Sequence, residues 1–382
     1  MLTIQHPEFP LSDDVIYLNH AAVAPWPNRT TQAVKAFAAE NVRIGARDYP
    51  NWLAKESELR GQLKRLVNAA SVDDIALVKN TSEAISFVAM GLNWQDGDNI
   101  VSSNEEFPSN RIAWQALAER GVQLREACVA NTDKPEAALF DLVDRNTRMI
   151  AVSSIQFASG IRLDLEVIGD FCQCRGILFC VDAIQSLGAV QFNAQAYQAD
   201  FVMADGHKWM LGPEGLGVFY TTPQARDRLK PSQYGWHMIE DSNNYDNVPW
   251  TIARSSRRFE CGSSNMLGIH ALSASLSLLL ETGMDKVEYG VLENAAYLRQ
   301  RIDASSHLIL RNKPSVDLQS GIVTFSSKTI SNSLLFKYIR EYGVVCALRG
   351  GGIRFSPHFY TTEIDLNRAI EIINAYENDN IS

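Results

Sequence analysis

From about residue 70 to residue 222 the chain alternates short, almost uninterrupted apolar runs with stretches in which apolar positions recur at helical spacing. The runs IALVK (75–79), NIVSS (99–103), MIAVSSI (149–155), ILFCVDA (177–183), DFVMA (200–204) and GVFYT (217–221) are strand-length and mostly rich in β-branched residues. The stretches 82–91, 108–120, 135–143 and 165–175 between them carry the helical pattern. Strands that are apolar on both faces, alternating with helices, predict a mainly parallel sheet covered on both sides.

The pattern then loosens. Residues 223–262 are irregular and rich in Ser, Asn, Arg and Tyr, as a connecting region lined with functional loops would be. Helical spacing returns at 264–282 and 285–303, followed by strands at 321–326 and 344–348 and helices at 331–342 and 363–376. This second alternation predicts a smaller α/β unit. The expected division is a large unit over 16–255 and a small one over 256–382, with 1–15 packing on the small one. A chain of 382 residues exceeds what one core usually fills, which supports two units.

Charge and cysteine content narrow the class. A net charge of −9 argues against nucleic acid or an anionic membrane surface as a partner. No apolar run approaches the ~20 residues that span a bilayer, and MLTIQHPEFPLSDD lacks the basic and apolar regions of a secretory signal. A cytoplasmic enzyme with thiols rather than disulfides is the expectation for its six cysteines. Cys172 and Cys174 lack a second pair at zinc-ligand spacing, so no metal site is expected.

In open α/β sheets ligands bind at the carboxyl ends of strands. After 75–79 comes Asn80-Thr81-Ser82-Glu83, at the start of a helix, where hydroxyls and free amides bind phosphate; the same residues also suit a plain helix cap. After the 177–181 strand comes Asp182-Ala183-Ile184-Gln185. A carboxylate ending an apolar strand needs a cation or strong donor, unless it merely caps the next helix. After DFVMA comes Asp205-Gly206-His207-Lys208-Trp209. A lysine at that place is partly desolvated, which lowers its pKa and favours the neutral amine that Schiff-base chemistry needs. The glycine-rich 211–217 segment lacks the G-x-G-x-x-G register of a dinucleotide loop.

In order and spacing these segments resemble the class V aminotransferase family of fold-type I pyridoxal 5′-phosphate (PLP) enzymes, from Tyr17-Leu18-Asn19-His20-Ala21-Ala22 to Arg354-Phe355-Ser356-Pro357. The resemblance implies a mostly parallel seven-stranded sheet in the large unit. It makes Lys208 the Schiff-base lysine and proton carrier, pairs Asp182 with the pyridine nitrogen, and gives Gln185 the phenolic oxygen. Phe107 would stack on the ring, and Thr81, Ser82 and His207 would hold the phosphate. Ser263, in Arg258-Phe259-Glu260-Cys261-Gly262-Ser263-Ser264-Asn265, matches a residue that reaches the phosphate of a neighbouring subunit, which implies a homodimer with the site at its interface. Arg354 would grip the α-carboxylate of an amino-acid substrate. Arg349, Asn19 and His20 are further substrate candidates, with Trp26, Tyr234 and Trp236 in the pocket wall.

Three departures stand out. Desulfurases and some lyases carry a nucleophilic or acidic cysteine on a loop before the R-x-S arginine, whereas here Ala347-Leu348-Arg349-Gly350-Gly351-Gly352-Ile353 has none. Cys346 is nearby but sits in the apolar run GVVCAL, where nothing lowers a thiol pKa. Asp205 replaces a phosphate-touching serine and is expected to turn away or meet a cation such as Arg257. Phe107 replaces a histidine, which leaves proton transfer to Lys208. The implied chemistry runs through an external aldimine and quinonoid. Transamination leads among its outcomes, with β-lyase (cysteine- or selenocysteine-type) or epimerase as alternatives. A non-catalytic binder comes last, since it needs no set of Lys208, Asp182 and Arg354 together.

Overall fold

The computed structural model describes residues 4–130, 132–246 and 249–379, with side chains to Tyr376. The strands are β1 (Ile16–Tyr17), β2 (Ile75–Val78), β3 (Asn99–Ser103), β4 (Gln123–Ala127), β5 (Thr147–Ser153), β6 (Leu178–Asp182), β7 (Phe201–Asp205) and β8 (Gly217–Thr221), then β9 (Leu308–Leu310), β10 (Val323–Ser327), β11 (Val344–Val345), β12 (Ala347–Arg349) and β13 (Gly352–Phe355).

The large sheet has seven strands in the order β2-β8-β7-β6-β5-β3-β4. Only β8 runs against the others, pairing antiparallel with β2 and β7. Strands β6, β7 and β8 are buried at every position, which is why their sequences read as continuous apolar runs. The edge strand β4, Gln-Leu-Arg-Glu-Ala, is mostly solvent-facing and carries no such run. Because β2 through β7 all point one way, their carboxyl ends share one edge of the sheet, where Thr81, Phe107, Asp182 and Lys208 follow in the chain.

A second, antiparallel sheet, β12-β13-β10-β9, packs with the helices Asn332–Glu341 and Glu363–Asp379 around Phe325, Ile353, Phe355 and Ile370. The division expected after residue 255 is shifted. The helix Met266–Thr282 buries Ile269, Leu272, Leu276 and Leu279 in the core of the large sheet, with Leu59 and Leu63 of the helix Tyr49–Val67. The helix Met284–Asp303 belongs to both cores, giving Val287 and Val291 to the large one and Ala295, Leu298 and Ile302 to the small one. Hydrophobic pattern locates both helices but does not say which core each one fills. Ile16 and Leu18 sit in the small core, and β1 pairs in parallel with β11. Phe9 stacks on Tyr360 at 3.5 Å within the large core, while Asp13 lends its carbonyl to Arg368, so the 4–15 segment lies across the junction.

Gly188 marks a close approach near the future site. With φ +92°, it lies where an added Cβ would stand 2.3 Å from the Trp209 carbonyl, so only glycine lets the turn after β6 meet the Lys208 segment.

Candidate active site

A cavity of about 240 Å³ opens at the carboxyl edge of the large sheet, facing the small one. Its lining includes Thr81, Ser82, Phe107, Asp182, His207, Lys208, Arg349 and Arg354. Two sheets therefore supply one site.

Lys208 is only 7% exposed. Burial lowers its pKa, opposed by Asp182 and Asp205 and reinforced by the positive charge of Arg354. Its Nζ stands 5.4 Å from the centre of the Phe107 ring. Asp182 is almost fully buried, and burial pushes its carboxyl up from the usual range, with the negative charge of Glu106 adding to the effect. Its Oδ1 accepts from the Ile184 amide at 3.0 Å. No Lys, Arg or His forms an ion pair with it among the described residues.

At the start of the helix Thr81–Gly91, Asn80 caps the Glu83 amide, and Ser82 Oγ donates to Ser109 Oγ at 2.8 Å. The buried Thr81 Oγ1 has no partner among the described residues. It lies beside the leading amides that a helix leaves unpaired. An orphaned hydroxyl at a helix start fits a phosphate, and a buried carboxylate without a cation fits a protonated pyridine. On both counts the residues suit PLP.

Asp205 does not meet Arg257. That arginine turns to Ser242 and to the carbonyls of Ile239 and Glu240. Instead Asp205 lines the cavity beside His207, whose Nδ1 lies 3.0 Å from Asp205 Oδ1 without hydrogen-bond geometry.

Arg354, 2% exposed, donates from Nη1 to the Phe157 carbonyl at 2.7 Å, and its Nε is buried and unpaired. Burial lowers its pKa, and the charge of Arg349 adds to this. Arg349 lines the cavity while its Nη1 donates to the Leu348 carbonyl.

Four expected residues fall elsewhere. Gln185 is buried behind the lining, its Nε2 donating to the Ala21 carbonyl and its Oε1 accepting from Trp209, which leaves one amide hydrogen free. Ser263 lines a different surface cavity, with Lys79, Gln233 and Asn265. Asn19 and His20 are absent from the Lys208 lining. The substrate role expected of His20 is therefore withdrawn. Its Nδ1 donates to the Ser356 carbonyl at 2.8 Å, and its Nε2 then accepts from Tyr360 Oη at 2.6 Å, in full burial. Trp26, Tyr234 and Trp236 also lie outside this lining; Tyr234 and Trp236 form another cavity with Tyr245 and Trp250. His20→Ala is expected to lower unfolding stability by about 3 kcal/mol in denaturant titration, since it opens a gap and unpairs two buried groups. The KM of the enzyme should stay within about twofold, and a larger rise would return His20 to the site.

Sequence reading missed Phe157 and the role of Glu106. Phe157 follows a strand without any polar signal. Glu106 did carry one, a carboxylate just past the end of β3 beside an aromatic residue.

The model of the family "Aminotransferase class-V" matches residues 16–368. A probable cysteine desulfurase of Methanothermobacter thermautotrophicus is 29% identical, over 94% of this chain and 94% of its own length. The solved structure of the cysteine desulfurase CsdA from Escherichia coli superposes with TM-score 0.87 at 21% identity, covering 98% of this chain and 99% of that one. The cystine C-S lyase C-DES, solved with its product cysteine persulfide, superposes with TM-score 0.87 at 22% identity, covering 94% and 97%.

Proposed function

The chain belongs to the class V aminotransferase family of PLP-dependent enzymes, and on that footing we propose that it is a β-lyase, releasing a sulfur or selenium substituent from the β-carbon of an α-amino acid. Transamination, the leading expectation, gives way to this reading. Several matching relatives carry the names of enzymes that act on cysteine or cystine, while others are named only as aminotransferases.

The make-up of the cavity mouth separates this reading from a desulfurase that carries sulfur on its own cysteine. There the hairpin between β12 and β13 is closed by Gly350 and Gly351, both with positive φ, and presents Arg349 rather than a thiol. The nearest cysteine in sequence, Cys346, is buried, and burial pushes its thiol up to about 12. A persulfide on the protein is therefore not part of the proposed reaction, and the substituent leaves to solvent.

In this reading Thr81, Ser82 and His207 would hold the phosphate, Asp182 the pyridine nitrogen, Gln185 the phenolic oxygen, Phe107 the ring face and Lys208 the aldehyde carbon. PLP bound there supplies an electron sink for the pair left at Cα. Lys208, its basicity lowered by burial, takes the Cα proton at Nζ. Arg354, anchored by its hydrogen bond to the Phe157 carbonyl, holds the α-carboxylate, with Arg349 beside it. Phe107 covers the ring without exchanging protons. Ser263, in its separate surface cavity with Asn265, would complete the phosphate site of a second copy, so the working unit is a homodimer. The six free cysteines fit a reducing, cytoplasmic setting.

With cysteine the overall change is cysteine plus water to pyruvate, ammonia and hydrogen sulfide. Purified enzyme given cysteine or β-chloroalanine, and no amino acceptor, is expected to release pyruvate and ammonia in equal amounts over many turnovers. A keto acid that keeps the β-substituent, formed as the cofactor turns into its amine form, would replace this reading with transamination.

A further inference from the structure

Glu106 lies just beyond the end of β3 and is 5% exposed. Its carboxylate accepts from the Ser153 amide at 2.7 Å, from Ser153 Oγ, from Gln156 Nε2 at 3.0 Å and from Asn110 Nδ2 at 2.9 Å. No Lys, Arg or His pairs with it among the described residues. Burial pushes its carboxyl up, while these hydrogen bonds pull it back. A buried carboxylate held only by neutral donors is a costly way to fill a core, and an apolar side chain would serve stability better. The donors must achieve something besides burial.

They come from three segments: the end of β5, the loop after it, and the helix Ser109–Gln115, where Asn110 also accepts from Trp114 at 2.9 Å. The residue after Glu106 is Phe107, whose ring faces Lys208 and meets the Phe157 ring edge-on at 5.2 Å. The residue after Gln156 is Phe157, whose carbonyl fixes Arg354. Four acceptor directions on one carboxylate thus tie the ring-covering residue to the anchor of the carboxylate-binding residue.

We infer that Glu106 is a positioning residue that keeps Phe107 and the Phe157–Arg354 pair in register across the cavity. The inference rests on the roles proposed above for Phe107 and Arg354. Glu106→Gln keeps the volume but replaces one acceptor oxygen by an N–H₂ that, of the four partners, only the Ser153 hydroxyl can accept from, so the clamp is weakened without opening a void.

The test uses the holoenzyme and glycine as the probe. Glycine has an α-carboxylate and no β-carbon, so its binding, read from the change in Schiff-base absorbance, does not depend on the lyase reaction. At a temperature where E106Q is fully folded, its glycine dissociation constant is expected to rise about 10-fold or more, because small misplacements of a binding group are costly. The rate of cofactor loss during dialysis should rise by a similar factor. A lower melting temperature with unchanged glycine affinity and unchanged cofactor retention would overturn the inference, leaving Glu106 a purely structural residue. If E106Q does not fold, Gln156→Leu cuts only the branch toward Phe157. About fivefold weaker glycine binding with normal cofactor retention is then expected, and unchanged glycine binding overturns the inference. Wild-type enzyme that binds glycine but yields no pyruvate from cysteine or β-chloroalanine would sink the lyase reading alone.

Discussion

Lys208→Ala is expected to lose the visible Schiff-base absorbance and turnover together, with kcat falling about 10⁴-fold or more, because in the proposed reaction one side chain serves as covalent anchor and as base. It is the lysine that lines the cavity, and burial has already shifted its amine toward the neutral form that both tasks require. The fold should survive, since the amine faces the cavity rather than a packed core. Lys208→Arg should not restore activity, because a guanidinium stays protonated and cannot form the imine. Borohydride reduction followed by peptide mapping checks the assignment. A trapped cofactor on another lysine, with turnover retained in the alanine variant, would remove Lys208 from its role.

Asp182→Asn is expected to lower kcat by about 10²–10³-fold, the range lost when one fixed electrostatic partner of a transition state is removed. An asparagine can still accept from the Ile184 amide, so local structure is preserved. It cannot balance a positive charge on a pyridine nitrogen. The stability of the variant carries a second signature. Burial raises the pKa of Asp182 in the folded protein, so its ionised form is disfavoured there. A group with a raised folded pKa loses stability as pH rises from its unfolded value through its folded one. At neutral pH the cofactor-free variant should therefore melt at or above the wild type, whereas with cofactor the order reverses. Scanning calorimetry of both forms reads the two signs. A variant less stable than wild type without cofactor would mean that Asp182 holds the fold together by itself.

Much of this site could be read from the chain because it sits where strands end. The apolar runs of β6 and β7 are visible since both faces are covered, and Asp182 and Lys208 stand out as polar residues at their carboxyl ends. Arg354 was found by resemblance, since its place on β13 of a separate sheet leaves no local signal. The polar edge strand β4 escaped notice because a strand that is mostly solvent-facing needs no apolar run. His20 misled for a different reason. Next to Asn19 in a turn it reads as available, and only contacts made more than 300 residues away show both its nitrogens engaged. Asp205 posed the same problem at short range, because its partner, two residues on, depends on how the turn after β7 bends. Residues that act through a distant partner are the ones local pattern cannot place.

The pairing of β1 with β11 has a consequence for how the molecule is made. Ile16 and Leu18 complete a core whose other members run from Ala295 to Ile373, so these early residues wait for nearly the last segment of the chain. During synthesis the large sheet has all seven of its strands once Thr221 has emerged, but the small core has no partner to close on. The strand that leads to Ala21 and Ala22, in the cavity wall beside Lys208, therefore takes its place only after β11 appears. Assembly of the cavity is thereby deferred to the end of translation, after the helix Met266–Thr282 has completed most of the core beneath it.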